Sequence, residues 1–536
     1  MKTSSGEFTS APARNAFARC RLGWWVILGV LVLQFWSRYL PAPRAELAVD
    51  DWINLSRSKT YASYAEAAWQ GLLDPNRPLS MIAVNVGWRL FGDRALYWTL
   101  VSLIGNSLLL LFTMKMALEL TGRRIVAILT GVVFTILPNL TETYHWSTQV
   151  LNEVSCGLVP YALSGWLWVA YVRRGGGWRL ALSALAFGVG LFSYEAGIFL
   201  PAAYVVLLPW RRRPFTSIFQ IMPVGAACVL YLAWRGTNAF GLIEGSYYPP
   251  HMQAGVSLMG IVMNAWHLMH WWLGDYMFGA MRNGFDSFAT LPLWTRRFLF
   301  VANAGVVLLV GRGLHKLAGA PSCGSDSNPF RLLQIAGFGL AWTAAAMALS
   351  LVSYTAGRLN VIPAMGVSLL TAVALDRWPF RKWGPTLVVL AFLAIVANQG
   401  TAESWRQSGE FQRRLLAHIE STRDQWEGKP IMLIDTRSLR QRLTPGLLRG
   451  IGADPATWTY YGNALLMRGY VPLGMARLLT GQVDPGFVTV HDVECGARIE
   501  GDQLHWHDRY LPSKPRSTAM ENVLVVDVLA VGQAGK

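Results

Sequence analysis

The stretch "ALYWTLVSLIGNSLLLLFTMKM", residues Ala95–Met116, is the clearest indication of how this chain folds. Lys115 is its only charged residue, and a helix of about 20 apolar residues is long enough to cross a lipid bilayer. The short basic segment "TGRR" (Thr121–Arg124) follows, and a second apolar run then covers residues 125–141. Two apolar runs joined by a basic loop predict a pair of transmembrane helices.

Similar apolar runs recur on both sides of this stretch, from residue 22 to about residue 400. The sequence therefore predicts a polytopic α-helical membrane protein with about eleven transmembrane helices. The predicted spans lie near residues 22–40, 95–116, 125–141, 149–172, 179–194, 196–210, 216–234, 298–312, 331–353, 359–376 and 384–400.

The composition agrees with a membrane protein and argues against a nucleic-acid partner. Of 536 residues, 53% are hydrophobic and 15% are charged, whereas charged residues make up roughly 25% of soluble domains. The formal net charge of +16 would suit nucleic acid. The cations, however, cluster in short loops between apolar runs, which is the positive-inside pattern of membrane proteins.

The basic loops predict the orientation and the domain organisation. With eleven spans, the basic clusters of the short loops fall on the side of the N-terminus, which we expect to be cytoplasmic in a bacterial inner membrane. Arg282, Arg296 and Arg297 are exceptions on the outer side. Residues 1–21 are then a cytoplasmic N-terminus, residues 22–400 a transmembrane domain and residues 401–536 a small periplasmic α+β domain. The long outer loops of the transmembrane domain are residues 41–94 and 235–297.

Short patterns inside these regions predict local structure. In the first outer loop, "YASYAEAAWQGLL" (residues 61–73) is typical of a helix lying at the membrane interface. In the tail, "EFQRRLLAHIES" (410–421) predicts an amphipathic helix, and "KPIMLIDT" (429–436) and "NVLVVDVLAV" (522–531) predict buried strands. Residues 487–510 have the pattern of a hairpin region.

Polar and ionisable residues recur at the outer ends of the predicted spans. Carboxylates can accept a proton from a substrate hydroxyl or hold a metal ion, and the arginine side chain suits a phosphate. These residues could together bind an anionic, lipid-linked substrate. The candidates are Asp50, Asp51, Arg77, Glu142, His145, Glu195, Tyr354 and Arg358.

Each candidate also has a purely structural interpretation. Asp50 and Asp51 suit the start of a helix, where Asp is a favoured capping residue. Arg77 and Arg358 could anchor the chain at the lipid headgroups. Glu142, His145 and Glu195 could be loop residues that face water.

The plan of the chain resembles the GT-C superfamily of integral-membrane glycosyltransferases. The resemblance rests on an aspartate-bearing first outer loop ("AVDDWINL", residues 48–55), an interfacial helix followed by "NRPL" (Asn76–Leu79), many spans and a soluble C-terminal domain. It covers most of residues 20–400 and is similar in plan to the protein O-mannosyltransferases and the lipid A aminoarabinose transferases.

The resemblance implies a function and roles for individual residues. It implies a polyprenyl-phosphate sugar donor and transfer, on the outer side of the membrane, to a glycan, lipid or protein acceptor. Asp50 or Asp51 would be the catalytic base or a carboxylate next to a divalent cation such as Mg²⁺ or Mn²⁺. Glu142 would supply a second carboxylate, and Arg77 or Arg358 would bind the donor phosphate.

Two other functions stay open from the sequence. A transporter or flippase of a lipid-linked saccharide would need charges at mid-membrane and helices broken by Gly or Pro. An enzyme of the O-antigen polymerase or ligase type would place its arginines in a late outer loop, where Arg282, Arg296 and Arg297 lie. A third interpretation is a membrane-anchored assembly factor whose tail recruits partners.

Overall fold

The fold is mostly helical, and helices begin and end largely where the apolar runs do. The computed structural model describes residues 24–42, 47, 50–74, 77–138, 140, 142–208, 214–242, 259, 262–263, 265–266, 277–318, 330–352, 361–426, 429, 431–435, 475, 477–479, 488–491, 497–507 and 515–527.

The first half of the chain consists mainly of helices. They are α1 (Trp24–Tyr39), α2 (Asp50–Thr60), α3 (Tyr64–Leu72), α4 (Pro78–Phe91), α5 (Ala95–Thr121), α6 (Arg124–Ile136), α7 (Glu142–His145), α8 (Ser147–Gln149), a π-helix (Val150–Leu158), α9 (Val159–Arg174), α10 (Gly177–Ser193), a 3₁₀ turn (Glu195–Gly197) and α11 (Pro201–Val206).

The second half adds longer helices and then strands. The helices are α12 (Pro214–Leu242), α13 (Ala280–Ala289), α14 (Leu293–Ala318), α15 (Leu332–Val352), α16 (Val361–Asp376), α17 (Phe380–Ser421) and α18 (Arg423–Trp426). The strands are β1 (Ile431–Asp435), β2 (Val488–His491), β3 (Arg498–Glu500), β4 (Gln503–His507), β5 (Pro515–Ala519) and β6 (Val523–Asp527), with a 3₁₀ turn (Met520–Asn522) before β6.

Within the described residues, five helices are long and apolar enough to cross a membrane. They lie at residues 95–121, 147–174, 215–236, 293–318 and 380–421. Shorter apolar helices lie at residues 25–39, 124–136, 177–193, 195–206, 332–348 and 361–376. Each predicted span thus overlaps an apolar helix, and the chain is a membrane-embedded helical protein. The number of helices that cross stays a prediction.

One predicted span has an unexpected form. Where residues 196–210 predict a transmembrane helix, the structure has the 3₁₀ turn and then α11, a helix of 6 residues. Six residues rise only about 9 Å, which is too short to cross a bilayer. The chain breaks here because Pro201 lacks a backbone N–H group and so starts a new helix.

The core of the protein lies where α5, α6, α9, α10, α15 and α16 pack together. Its buried side chains are apolar and aromatic, including Phe134, Trp168, Tyr204 and Trp342. Trp168 stacks on Tyr204 with ring centroids 5.0 Å apart. Close packing of this kind fixes the relative positions of the helix ends, and therefore of the charged residues found there.

Charged residues at one end of the core form separate ion pairs, which we call the basic face: Arg123 with Asp376, and Arg174 with Glu119. Arg173 adds a hydrogen bond from Nη1 to the backbone oxygen of Glu119, 2.6 Å long. Arg123, Arg173 and Arg174 are among the cations that the sequence places on one side of the membrane. These contacts bring them together at one end of the helices.

The predicted outer loop 41–94 consists largely of three helices, α2, α3 and α4. The helix predicted within residues 61–73 is confirmed as α3, with the side chain of Ser63 accepting a hydrogen bond from the backbone N–H of Glu66. Gly71 of α3 lies directly against the backbone of Ile82 in α4, where a Cβ atom would clash. The two helices can therefore cross closely.

Residue 401, the predicted boundary of the tail, falls inside α17, a helix of 42 residues. The amphipathic pattern of residues 410–421 belongs to the same helix as the predicted span 384–400. Beyond the predicted span 384–400, Gln412 accepts a 2.5 Å hydrogen bond from Nε1 of Trp52, so α17 also contacts α2.

The tail contains two small sheets. The two predicted strands are confirmed as β1 and β6, which pair in parallel, and β2 joins β1 on the other side. The expected burial holds only in part for β6, where Val525 is 39% exposed. The predicted hairpin region 487–510 is confirmed only in its second part, where β3 and β4 pair antiparallel. Its first part, β2, lies in the parallel sheet instead, because its apolar residues pack with those of β1 and β6.

Candidate functional site

Four charged side chains from distant parts of the chain meet at one place, which we call the acid–arginine cluster: Arg77, Glu153, Glu195 and Arg235. Arg77 donates two hydrogen bonds to Glu195, from Nε to Oε2 (2.9 Å) and from Nη2 to Oε1 (3.0 Å). Nη1 of Arg77 lies 3.9 Å from Oε1 of Glu153, and Nη1 of Arg235 lies 3.9 Å from Oε1 of Glu195. The cluster therefore contains two carboxylates and two guanidinium groups.

Local structure holds Arg77 in this position. Arg77 precedes α4, whose first residue is Pro78, a residue well suited to the start of a helix. Oδ1 of Asp74 accepts a 2.7 Å hydrogen bond from the backbone N–H of Arg77. The guanidinium also lies over the ring of Tyr194, with Cζ 4.7 Å from the ring centroid. The "NRPL" element thus directs Arg77 at the turn that contains Glu195.

The electrostatics of the cluster keep Arg77 and Glu195 charged. Burial by itself lowers the pKa of the Arg77 guanidinium, but the charge and hydrogen bonds of Glu195 outweigh burial and raise that pKa above its ordinary value. Burial raises the pKa of the Glu195 carboxyl, whereas Arg77 lowers it, with a result of about 2. Both groups are ionised at neutral pH.

Asp51 lies in α2 and is fully buried. Its Oδ1 atom accepts hydrogen bonds from the backbone N–H (2.9 Å) and the hydroxyl (2.5 Å) of Thr148. The Thr148 hydroxyl in turn accepts hydrogen bonds from Nδ2 of Asn54 (3.1 Å) and Nε1 of Trp88 (3.2 Å). Asp51 is thus part of a network that ties α2 and α4 to α8.

The 142–158 segment, which comprises α7, α8 and the π-helix, links these two sites. Thr148 in α8 contacts Asp51, and Glu153 in the π-helix contacts Arg77. The π-helix packs against α4, α5, α9 and α10. π-Helical turns are rare and occur frequently at functional sites, so this segment is the centre of the candidate site.

His145 is the last residue of α7, in the same 142–158 segment. It is buried, and its ring stacks on Trp405 of α17 with centroids 6.1 Å apart. Burial, with a smaller contribution from the positive charge of Arg38, lowers the pKa of His145 to about 3. His145 is therefore a neutral imidazole at physiological pH.

Arg38 and Asn398 form a separate buried network near the end of α1. Arg38 donates hydrogen bonds to the backbone oxygens of Thr135 (3.1 Å) and Leu137, and to Oδ1 of Asn398 (3.0 Å). Asn398 donates from Nδ2 to the hydroxyl of Ser37 (3.0 Å). These contacts satisfy backbone oxygens at the end of α6, which indicates a structural role.

The structure brings some of the predicted residues together. Arg77 and Glu195 are paired, and Asp51 and His145 both contact the 142–158 segment or belong to it. The side chains of Asp50 and Glu142, and residues Tyr354 and Arg358 altogether, lie outside the described part of the structure. Among the described residues, no group of three His, Cys, Asp or Glu side chains could hold a metal ion.

Other residues of the site are not among the sequence candidates. Glu153 falls slightly inside the predicted span 149–172, and its charge already marks it in the sequence, since an acidic residue within a span needs a partner. Arg235 just follows the predicted span 216–234. No sequence pattern marks Thr148 as a site residue, because its role comes only from its contact with Asp51.

The fold and the site together define a membrane-embedded helical protein with a buried network of charged residues. No known protein-family model matches the chain, and no curated protein matches it.

Proposed function

We propose that this chain is an integral-membrane glycosyltransferase. It transfers a sugar from a polyprenyl-phosphate donor to a glycan, lipid or protein acceptor on the outer side of the bacterial inner membrane. The observation that carries the proposal is the meeting of the acid–arginine cluster and buried Asp51 on the 142–158 segment. It joins proton-accepting and phosphate-binding groups in one place.

The reaction requires two things of the protein: removal of the acceptor proton and stabilisation of the departing phosphate. The acceptor oxygen attacks the anomeric carbon of the sugar, and the bond from that carbon to the phosphate oxygen breaks. A carboxylate takes the acceptor proton, and cations stabilise the charge of the departing polyprenyl phosphate. Arg77 and Arg235 stabilise the phosphate charge. Tyr354 and Arg358 stay in the proposal as further contacts to the donor.

Asp50 and Asp51 have different roles in removing the acceptor proton. Oδ1 of Asp51 is engaged with Thr148, which supports a role in orienting the site. Asp50 at the first position of α2 then acts as the base. Glu142, at the start of the 142–158 segment, supplies the second carboxylate, and a divalent cation held by these carboxylates remains part of the proposal.

The test is transfer activity of the full chain in lipid nanodiscs, with a panel of short-chain polyprenyl-phosphate monosaccharides and release of polyprenyl phosphate as readout. Asp50→Asn should lower turnover by about 10²–10⁴-fold, the usual contribution of a general base. Asp51→Asn should lower it less, because an amide oxygen still accepts both hydrogen bonds from Thr148. Asp93→Asn, an exposed residue of the same outer region, is the matched control and should be silent.

Full activity in both the Asp50 and the Asp51 variant would remove the proposal. So would a wild-type protein that turns over no donor of the panel.

A second function has one observation in its favour. The break between α10 and α11, with Glu195 and Pro201, resembles the discontinuous helices of transporters. A flippase would move a fluorescent lipid-linked saccharide across proteoliposomes without releasing polyprenyl phosphate. That result, with no turnover, favours the transporter over the enzyme.

A further inference from the structure

Three polar atoms on the 142–158 segment are buried without a hydrogen-bond partner among the described residues. They are Oγ of Ser147, Oε1 of Gln149 and Oδ1 of Asn152. Their side chains are 1%, 4% and 7% exposed. Almost all buried polar atoms in proteins are paired, because leaving one unpaired costs free energy. Three such atoms within six consecutive residues indicate a surface that pairs with something outside the described part of the chain, and we consider a bound ligand.

The place of these atoms in the fold supports a ligand. Thr148, between Ser147 and Gln149, holds Asp51, and Glu153, next to Asn152, faces Arg77. Along the chain, the three residues therefore stand next to the contacts of Asp51 and Arg77, the groups proposed to act on either side of the donor sugar.

Trp405 adds a fourth buried polar group beside the segment. Its ring stacks on His145 at 6.1 Å, and its Nε1 atom likewise has no partner within the described part of the chain. Tryptophan Nε1 only donates hydrogen bonds. The surroundings of the 142–158 segment thus offer both donors and acceptors.

The chemistry of these groups selects the ligand. A hydroxyl and two amides are neutral, and each can donate as well as accept hydrogen bonds. A phosphate would instead need cations, as in the acid–arginine cluster. A ring that carries several hydroxyl groups complements neutral groups of mixed donor and acceptor character.

We infer that Ser147, Gln149 and Asn152 bind the hydroxyl groups of the sugar carried by the polyprenyl-phosphate donor, and so select the sugar. This inference rests on the proposed function and assigns its sugar-binding residues. Such residues differ from structural ones in one measurable respect. Replacing an unpaired buried polar group by an apolar group of similar size removes a cost, so it does not destabilise the protein.

The experiment compares stability and binding for Ser147→Ala, Gln149→Leu and Asn152→Leu in the full chain in nanodiscs. The probes are a short-chain polyprenyl phosphate without a sugar and the same lipid carrying one hexose, with binding measured by calorimetry. Asn398→Leu is the matched control, because both sides of the Asn398 amide are paired. That variant should unfold at a lower temperature.

The expected result has two parts. Each of the three variants keeps or raises the unfolding temperature, and each binds the glycosylated lipid about tenfold more weakly, the loss expected for one hydrogen bond. Binding of the bare lipid stays within about twofold, because Arg77 and Arg235 are intact.

Other results overturn the inference in distinguishable ways. A wild-type protein that binds the two lipids equally would show that these residues do not bind the sugar. Variants that lose affinity for neither lipid, or for both alike, would show the same. In these cases the proposed phosphate site survives. Variants that unfold early, as Asn398→Leu should, would assign the three atoms to the fold. A wild-type protein that binds neither lipid would overturn the proposed function and this inference with it.

Discussion

The basic face and the acid–arginine cluster lie at opposite ends of α10 and use the same residue types differently. α10 begins just after Arg174 and ends just before Glu195, and its 17 residues span about 25 Å. On the basic face each arginine has one carboxylate. In the cluster, Glu195 contacts both Arg77 and Arg235, and Arg77 contacts both Glu195 and Glu153.

The arginines of the basic face are also more exposed to water than Arg77 of the cluster. The side chains of Arg123 and Arg174 are 38% and 40% exposed, so water solvates them even without their partners. Arg77 is 20% exposed and Glu153 is fully buried. A charge that water cannot reach depends on its protein partners. The basic face anchors helix ends, whereas the cluster holds charge where the protein alone must stabilise it.

The strongest test of this difference removes one arginine from each site. Arg77→Gln removes the guanidinium that Glu195 and Glu153 share and leaves Glu195 only its longer contact with Arg235. We therefore expect a loss of about 3–5 kcal/mol in the free energy of unfolding. Arg123→Gln should cost less than Arg77→Gln, because the positive charge of Arg377 also acts on Asp376, whose side chain is 8% exposed. Denaturant unfolding of both variants in the same detergent gives the two values.

A double variant separates the charge from the packing. Arg77→Met combined with Glu195→Met removes the hydrogen-bonded pair together, so Glu195 is not left without Arg77. Part of the lost stability should return, but not all of it, because Glu153 still loses Arg77 and Arg235 still loses Glu195. Equal losses for the Arg77 and Arg123 variants would mean that the cluster is an ordinary surface network.

Sequence patterns predict the helices of this protein well and the cluster only in part. Apolar runs such as residues 95–116 specify a helix by themselves, because the length of an apolar run decides whether it spans. The turn at Glu195 falls between the predicted spans 179–194 and 196–210 and agrees with the prediction. The further break before Pro201 escaped because apolar residues continue on both sides of it. A hydropathy pattern does not register a turn that three-dimensional packing and a proline impose.

The candidate site shows a similar division. Charges at span ends indicated Arg77 and Glu195, and the structure pairs them. Nothing in the sequence indicates that Asp51 is held by Thr148, since hydrogen bonds between residues far apart depend on how the helices pack. Local patterns therefore locate charged residues, and only the fold shows which of them share a partner.

Solution pH tests the buried 142–158 segment, which also carries Glu153 of the cluster, through His145. The pKa of His145 is about 3 in the folded protein and near 6.5 in an unfolded chain, so the unfolded state binds the proton first as pH falls. Stability should drop by about 1–2 kcal/mol between pH 7 and pH 5. Glu195, with its lowered pKa, loses its contribution only below about pH 4.5.

The matched variant is His145→Phe, which keeps a ring against Trp405 and removes the titration. Its unfolding free energy should be nearly constant between pH 7 and pH 5, measured by denaturant titration at each pH. An unchanged pH slope in this variant would show that another group is responsible.

The smallest expected effect comes from replacing arginine by lysine at each site. A lysine keeps the charge but offers one compact ammonium instead of a planar fork. Arg174 lies on the exposed basic face, so Arg174→Lys should change the free energy of unfolding by no more than about 0.5 kcal/mol. Arg77 uses Nε and Nη2 for the two oxygens of Glu195, and one ammonium cannot reproduce both bonds. Arg77→Lys should therefore cost measurably more than Arg174→Lys in the same unfolding assay, and equal effects would show that the cluster needs only a positive charge rather than the arginine fork.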